Sequence, residues 1–271
     1  MVDYSKYKFV KVEKKEKVAI LTLNNPDEMN AIGRAEHGEV EQIWEDMNHD
    51  NEVHAVILTG AGRAFSAGGD INLMVNGFTD HSIRIPSTSV KRIIVNLINM
   101  RKPIIAAING ACAGLGATIA LHCDVVLASE KARIGDPHIG VGLIPGDGGI
   151  IIWPLLVGMA KAKQYLMTGD MVTAPEAERI GLITKVVPPD QLMDEAWNWA
   201  RRFADGPQMA LSFTKMLLNK IIEDRVNLLF DATIAYEYHT LNSADHLEAA
   251  KSFLEKRKPQ FSSLEGEQWV F

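Results

Sequence analysis

Apolar positions fall along the chain in short unbroken runs, separated by longer stretches with helical spacing. Val18-Ala-Ile-Leu-Thr-Leu23 is a β-rich run that stops at the turn residues Asn24-Asn25-Pro26-Asp27. The runs at 55–59, 103–108, 124–128 and 183–187 repeat the pattern. Their near-continuous apolar character predicts strands buried on both faces, as in a parallel sheet. Between the first two, Val40, Ile43, Trp44 and Met47 share one face of a helix predicted over residues 35–48. Alternating strands and helices predict an α/β fold. From Gln191 to Lys258 the pattern is helical throughout, with Met193, Ala196, Trp197, Ala200 and Phe203 on one stripe, and nothing after Val187 reads as a strand. The expected division is a β/α core over residues 1–200 and a helical region over 201–271. That region would cap the core or pack on a neighbouring subunit.

Composition narrows the classes. A chain of 271 residues can bury a sizeable core, and 47% hydrophobic with 23% charged residues is ordinary for a globular protein. The net charge of −6 argues against a nucleic-acid partner, which needs a basic face. The charged N-terminus MVDYSKYKFVKVEKK lacks the apolar core of a secretory signal, so a cytoplasmic protein is expected. Residues 104–121 are nearly uncharged and about as long as a membrane span. Their glycines, with Asn109 in the middle, predict a buried strand, a turn and a buried helix instead. Cys112 and Cys123 lack metal or redox spacing and are expected to be buried thiols.

Two strand ends run into glycine-rich turns: Ala61-Gly-Arg-Ala-Phe-Ser-Ala-Gly-Gly-Asp70 and Asn109-Gly-Ala-Cys-Ala-Gly-Leu-Gly116. Glycine serves where the backbone needs φ > 0 or must approach a ligand closely. Helix starts leave N–H groups without partners. Two such turns side by side could aim two donors at one developing oxyanion, each worth about 3–4 kcal/mol of barrier. Each turn alone could equally be a plain connection.

Taken together the wording is specific. RAFSAGGDI resembles the coenzyme A loop of the crotonase (enoyl-CoA hydratase/isomerase) superfamily, and KPIIAAINGACAGLGATIALHCDVVLASEKARIG resembles its central block. GLIPGDGG, Met167-Thr-Gly-Asp170, APEAERIGLITKVVP and FLEKRKPQF also match, in order, over about residues 9 to 261. The resemblance implies a spiral of ββα units, a helical C-terminal trimerisation region, and a homotrimer or dimer of trimers. It implies an acyl-CoA substrate, with coenzyme A as a carrier and no permanently bound cofactor. It places oxyanion donors on the backbone N–H groups of Gly69 and Leu115, and runs coenzyme A past Glu28, Met29, Ala31, Ala67 and Asp70. Asp70 has a second reading, as the cap of a helix starting at Ile71.

The chain departs from the family where hydratases carry two glutamates. Alignment puts Thr118 at the first position and His138 at the second. His138 can move a proton near neutral pH, and Asp147, beyond a glycine- and proline-rich turn, could return to orient it. The other reading makes His138 a buried structural histidine and Asp147 a helix cap. PHIGVGLIPGDGGIIIWP also resembles the β-diketone hydrolases that open 6-oxocamphor by retro-Claisen cleavage, which use a His–Asp dyad at this spacing. His37 and Glu237 resemble further polar site residues of that branch. The remaining histidines show no ligand spacing, so no metal site is expected.

Three readings follow. The first is an enoyl-CoA hydratase- or lyase-like enzyme with His138 and Asp147 replacing the glutamate pair. The second is a carbon–carbon bond hydrolase of a β-diketone or β-ketoacyl thioester. The third is a non-catalytic acyl-CoA-binding protein. Residues 72–90, with Met74, Phe78 and Ile85, are expected to cover the acyl group.

Overall fold

The computed structural model describes residues 2–70 and 87–261. The helix expected at Ile71 and most of the expected acyl-covering segment, including Met74, Phe78 and Ile85, lie outside the described residues.

In chain order the strands are Val10–Lys15 (β1), Val18–Leu23 (β2), Ala55–Gly60 (β3), Ala64–Ser66 (β4), Ile104–Ile108 (β5), Ala111–Ala113 (β6), Val125–Ser129 (β7), Arg133–Gly135 (β8), Val172–Thr173 (β9) and Lys185–Val187 (β10). They form two sheets. The larger has the order β1-β2-β3-β5-β7-β10, and the smaller β4-β6-β8-β9. Each long strand of the first sheet from β3 to β7 is followed at once by a short strand of the second. The chain therefore climbs as a spiral of paired strands, as the resemblance implies. Pairing from β2 to β10 is parallel, which fits the all-buried pattern of β3, β5 and β7. Only β1 runs antiparallel within this sheet, at its edge.

Successive residues of the strands face two different cores. Val56, Leu58, Ile104 and Ala106 point into the main core between the sheets and helices. Ala55, Ile57, Ile105 and Ala107 point outward, under Leu192, Ala196, Ala200 and Ala204 of the helix Leu192–Ala204. The expected stripe on that helix is thus turned slightly: Ala196 and Ala200 are buried, whereas Met193 is exposed. The predicted first helix spans Arg34–His49 (α1) and buries Val40, Ile43, Trp44 and Met47.

The remaining helices are Ser87–Ile98 (α2), Leu115–Leu121 (α3), Gly149–Thr168 (α4), Ala174–Arg179 (α5), the covering helix Leu192–Ala204 (α6), Gln208–Leu241 (α7) and Ala244–Leu254 (α8). Residues 104–121 form β5, β6 and α3. No described helix is long and apolar enough to cross a membrane. Both cysteines are buried free thiols.

α7 packs on α2 and α4. Near its start Lys215 is buried, with Nζ 2.6 Å from Asp124 Oδ2 and 2.9 Å from the Lys102 carbonyl. Near its end Thr233 donates to the Gly146 carbonyl at 3.1 Å. Its other side exposes Met209, Phe213, Leu217, Leu218, Ile221 and Leu228.

Candidate active site

The two glycine turns meet at the carboxyl ends of β4 and β6. In the first, Ala67 N–H donates to the Met29 carbonyl at 2.9 Å, and Ile32 N–H donates to the Gly68 carbonyl at 2.7 Å. These bonds seat the loop at 27–32 against residues 67–69. Gly68 sits at φ +86°, and a Cβ there would come within 2.6 Å of the Ala113 carbonyl oxygen and 3.3 Å of the Leu115 nitrogen. Only glycine lets the turns approach this closely. Leu115 opens α3, so its N–H has no acceptor within the helix. The Gly69 N–H has no backbone acceptor among the described residues.

Gly114, at φ +49°, joins this pair to the catalytic candidate. A Cβ on it would lie 3.3 Å from His138 Cε1 and 3.9 Å from Gly68 Cα. A cavity of about 600 Å³ opens over the junction. Its lining includes Glu28, Met29, Ala31, Ala67 and Asp70, with Gly69, Gly114 and His138. All five residues expected along coenzyme A thus share one cavity with the histidine. Arg63 and Phe253 also line it.

His138 lies on the 3₁₀ turn Pro137–Val141, whose cap is Asp136. Pro137 presets the first position of the turn, where its missing N–H costs nothing. The Asp136 carboxylate accepts from the His138 backbone N–H at 3.5 Å, and also from the His138 ring at Nδ1. A carboxylate accepts only, so Nδ1 carries a proton and Nε2 is the working nitrogen. Here the sequence expectation needs correction. Asp147 does not orient the ring: its Oδ2 lies 3.7 Å from Nε2, beyond hydrogen-bond range. The orienting carboxylate is Asp136, two residues before the histidine. The Asp-Pro-His wording was the available signal, since Asp before Pro is a common turn cap that points its carboxylate forward.

Asp147 is instead held by Thr118, whose Oγ1 donates to Oδ1 at 2.9 Å, with the Gly149 N–H at 3.4 Å. The helix-cap reading of Asp147 is therefore partly realised. Thr118, where the resemblance implies a glutamate, is a hydrogen-bond donor to the second carboxylate. Glu237 of α7 reaches the same place, with Oε1 4.0 Å from His138 Nε2. It packs against Gly146, where any Cβ would strike its side chain at 2.5–2.6 Å. His37 is not among the cavity lining; it is buried in α1, and burial pushes its pKa down to about 4.

Three carboxylates around one buried imidazole dominate the electrostatics. Burial opposes a charge on His138, but the negative charges of Asp136, Asp147 and Glu237 outweigh it and push its pKa up to about 10. Burial pushes Asp147 up to about 6 against the attraction of His138, and Glu237 up to about 7. Asp136 Oδ2 and Asp147 Oδ2 are buried without a hydrogen-bond donor among the described residues. One atom from each of Asp136, His138 and Asp147 falls within 4.8 Å of the others, a spacing that could also hold a cation. The imidazolium itself supplies the positive charge between them. Behind the cluster, His122 Nδ1 donates to the Thr118 carbonyl at 2.7 Å.

With this geometry in view, comparison with known proteins is informative. The sequence model of the enoyl-CoA hydratase/isomerase family matches residues 13–264. A short-chain-enoyl-CoA hydratase of Clostridium acetobutylicum is 37% identical over 91% of this chain and 95% of its own. A crotonyl-CoA hydratase of Syntrophomonas wolfei is 36% identical over 95% of this chain and 99% of its own. The crystal structure of an enoyl-CoA hydratase/isomerase from Mycobacterium paratuberculosis superposes with a TM-score of 0.86 at 31% identity, covering 92% of this chain and all of that one. The chain belongs to the enoyl-CoA hydratase/isomerase family.

Proposed function

We propose that the protein is an acyl-CoA-processing enzyme of enoyl-CoA hydratase or lyase type, with His138 as its acid–base residue. The observation that carries this reading is the shared cavity, in which the five coenzyme A positions, both glycine turns and His138 converge. A thioester carbonyl set against the N–H groups of Gly69 and Leu115 would be polarised towards its enolate, each donor lowering the barrier by about 3–4 kcal/mol. His138 Nε2 would deliver a proton to the α-carbon or remove one, with Asp136 fixing the tautomer. Asp147 supports the imidazolium through its charge.

The family relatives support this chemistry, being named as hydratases of short-chain enoyl-CoA and crotonyl-CoA. The exposed apolar face of α7 supports a homotrimer or dimer of trimers, since a monomer rarely shows so many large apolar side chains on one helix. Light scattering at micromolar concentration should give at least three times the 29.9 kDa chain mass.

The decisive experiment is a turnover and thermal-shift panel of enoyl-CoA esters. Coenzyme A esters should raise the melting temperature, because they bind only the folded state. Crotonyl-CoA should be converted to a product heavier by one water, as read by mass spectrometry. A shift from cyclic diketones with none from millimolar coenzyme A esters would overturn the reading.

A further inference from the structure

The candidate active site lies at the carboxyl ends of β4 and β6. A second cavity, of about 460 Å³, lies at the amino ends of β3 and β5, between the end of α1 and the start of α7. Its lining includes His49, His54, Arg101, Lys102, Gln208 and Ser212, with no aspartate or glutamate among the described residues. Two cations and two imidazoles without a carboxylate make a basic pocket in a chain whose net charge is −6.

The fold uses part of each basic group and leaves part of it spare. Lys102 donates to the carbonyls of Met47 and Asp50, which closes the end of α1. An ammonium has three N–H donors, so one remains. No carboxylate pairs with Lys102 among the described residues, and the Asp50 carboxylate is taken by Lys14 at 3.0 Å and the Tyr4 hydroxyl at 2.8 Å. Burial pushes the Lys102 pKa down to about 8, the mark of a positive charge its surroundings do not balance. His49 Nδ1 donates to the Glu45 carbonyl at 2.9 Å, and His54 Nδ1 to the Ala204 carbonyl at 3.2 Å. A carbonyl only accepts, so both imidazoles leave Nε2 free. Arg101 is anchored by its backbone N–H, which donates to Asn48 Oδ1 at 2.9 Å. Its guanidinium has no partner among the described residues.

We propose that this cavity binds a small anion carrying a phosphoryl group, held by Arg101, Lys102, His49 and His54. The guanidinium fork matches two phosphoryl oxygens. Lys102 adds a point charge, and each Nε2 donates once protonated. These donors come from separate segments of the chain, an arrangement that suits a tetrahedral group better than a planar carboxylate. Val53 is the single apolar side chain of the lining, and no aromatic ring is available to stack on a base. The ligand is therefore of the size and kind of pyrophosphate or a small phosphorylated metabolite, and not a nucleotide or a coenzyme A ester.

The test is calorimetric titration of the 271-residue chain with sodium pyrophosphate at fixed ionic strength. One site per chain is expected, with an affinity unchanged by saturating coenzyme A. Arg101→Gln should weaken binding by about 10–100-fold, as for loss of a charge-assisted hydrogen bond, and Arg101→Lys should recover part of it. Because the guanidinium holds nothing in the fold, Arg101→Gln should melt with the wild type when no ligand is present, which separates lost binding from unfolding. His49→Gln combined with His54→Gln should also weaken binding. Arg63→Gln, in the coenzyme A cavity, should leave it unchanged. Citrate should bind about tenfold more weakly than pyrophosphate. Equal affinity for citrate would overturn the phosphoryl assignment. No heat at millimolar pyrophosphate, or binding lost to coenzyme A or Arg63→Gln but kept in Arg101→Gln, would overturn the site.

Discussion

The two walls of the cavity are built from different materials. The wall made by residues 27–31 and 63–70 works through its backbone: glycines, main-chain hydrogen bonds and N–H groups fixed by the two turns. The wall made by residues 136–147 and the end of α7 works through buried charge, with three carboxylates balanced against one imidazole. The first carries the wording in which the resemblance to the family was read. The second has His138 where the resemblance implies a glutamate. Backbone geometry is hard to change piecemeal, because a Cβ at Gly68 would strike the Ala113 carbonyl and Gly114 holds a positive φ. A proton-transfer wall can be rebuilt from other residues so long as acids and bases arrive at the same point.

The comparison can be broken at either wall. The largest effect is expected from His138→Ala, which should cost about 10²–10⁴ in kcat and leave the thermal shift by coenzyme A esters in place. Equal loss of binding would mean that the walls are not separable.

Gly68→Ala should do the reverse. With φ at +86° and the Ala113 carbonyl 2.6 Å from the new methyl, the turn must move, at about 1–3 kcal/mol of stability. Coenzyme A ester stabilisation should shrink with it, as read by the same thermal-shift assay.

A smaller effect concerns pH and stability. His138 is raised from 6.5 to about 10, so its contribution is complete below about pH 6.5 and is lost as pH rises through 10. Asp147 and Glu237 are raised by burial, from 3.8 to about 6 and from 4.5 to about 7. Their native forms hold protons more tightly than the unfolded chain, so they too favour the acid side. The melting temperature should therefore fall between about pH 6.5 and 10, and His138→Gln should flatten that slope. Gly68→Ala should keep it.

The smallest change is Thr118→Val. It removes one hydrogen bond to Asp147, about 1 kcal/mol, and should push the Asp147 carboxyl further up. Titration of that carboxyl by carbon-detected NMR would check it.

Much of this was legible in the sequence, and the reasons for the misses are physical. β3 and β5 announce themselves because every residue is buried. β1, with the sequence VKVEKK, does not, because an edge strand exposes most of its side chains and carries lysines there. The short strands of the second sheet are too brief to show a period. In the site, the glycine-turn wall is readable because it depends on local turns. Turn composition and the resemblance to a His–Asp dyad point to Asp147 as orienter, and the fold turns it towards Thr118. Asp136, next to a proline, reads as a turn residue, which it also is. Glu237 was suggested only by a loose resemblance, since nothing local to α7 reveals that its end reaches Gly146.

α7 joins these matters to one another. From Lys215, fixed to Asp124, to Glu237, facing His138, is 22 residue steps, about 33 Å of continuous helix. Such a rod behaves as a ruler with a phase. Substitutions on its outward apolar side leave the reading unchanged, so that face answers only to whatever packs against it. Insertion of a single residue between the two marks is another matter: it turns Glu237 by about 100° around the axis and carries it off the imidazole. Descendants of this gene should therefore vary in letters along 216–236 and hardly ever in length.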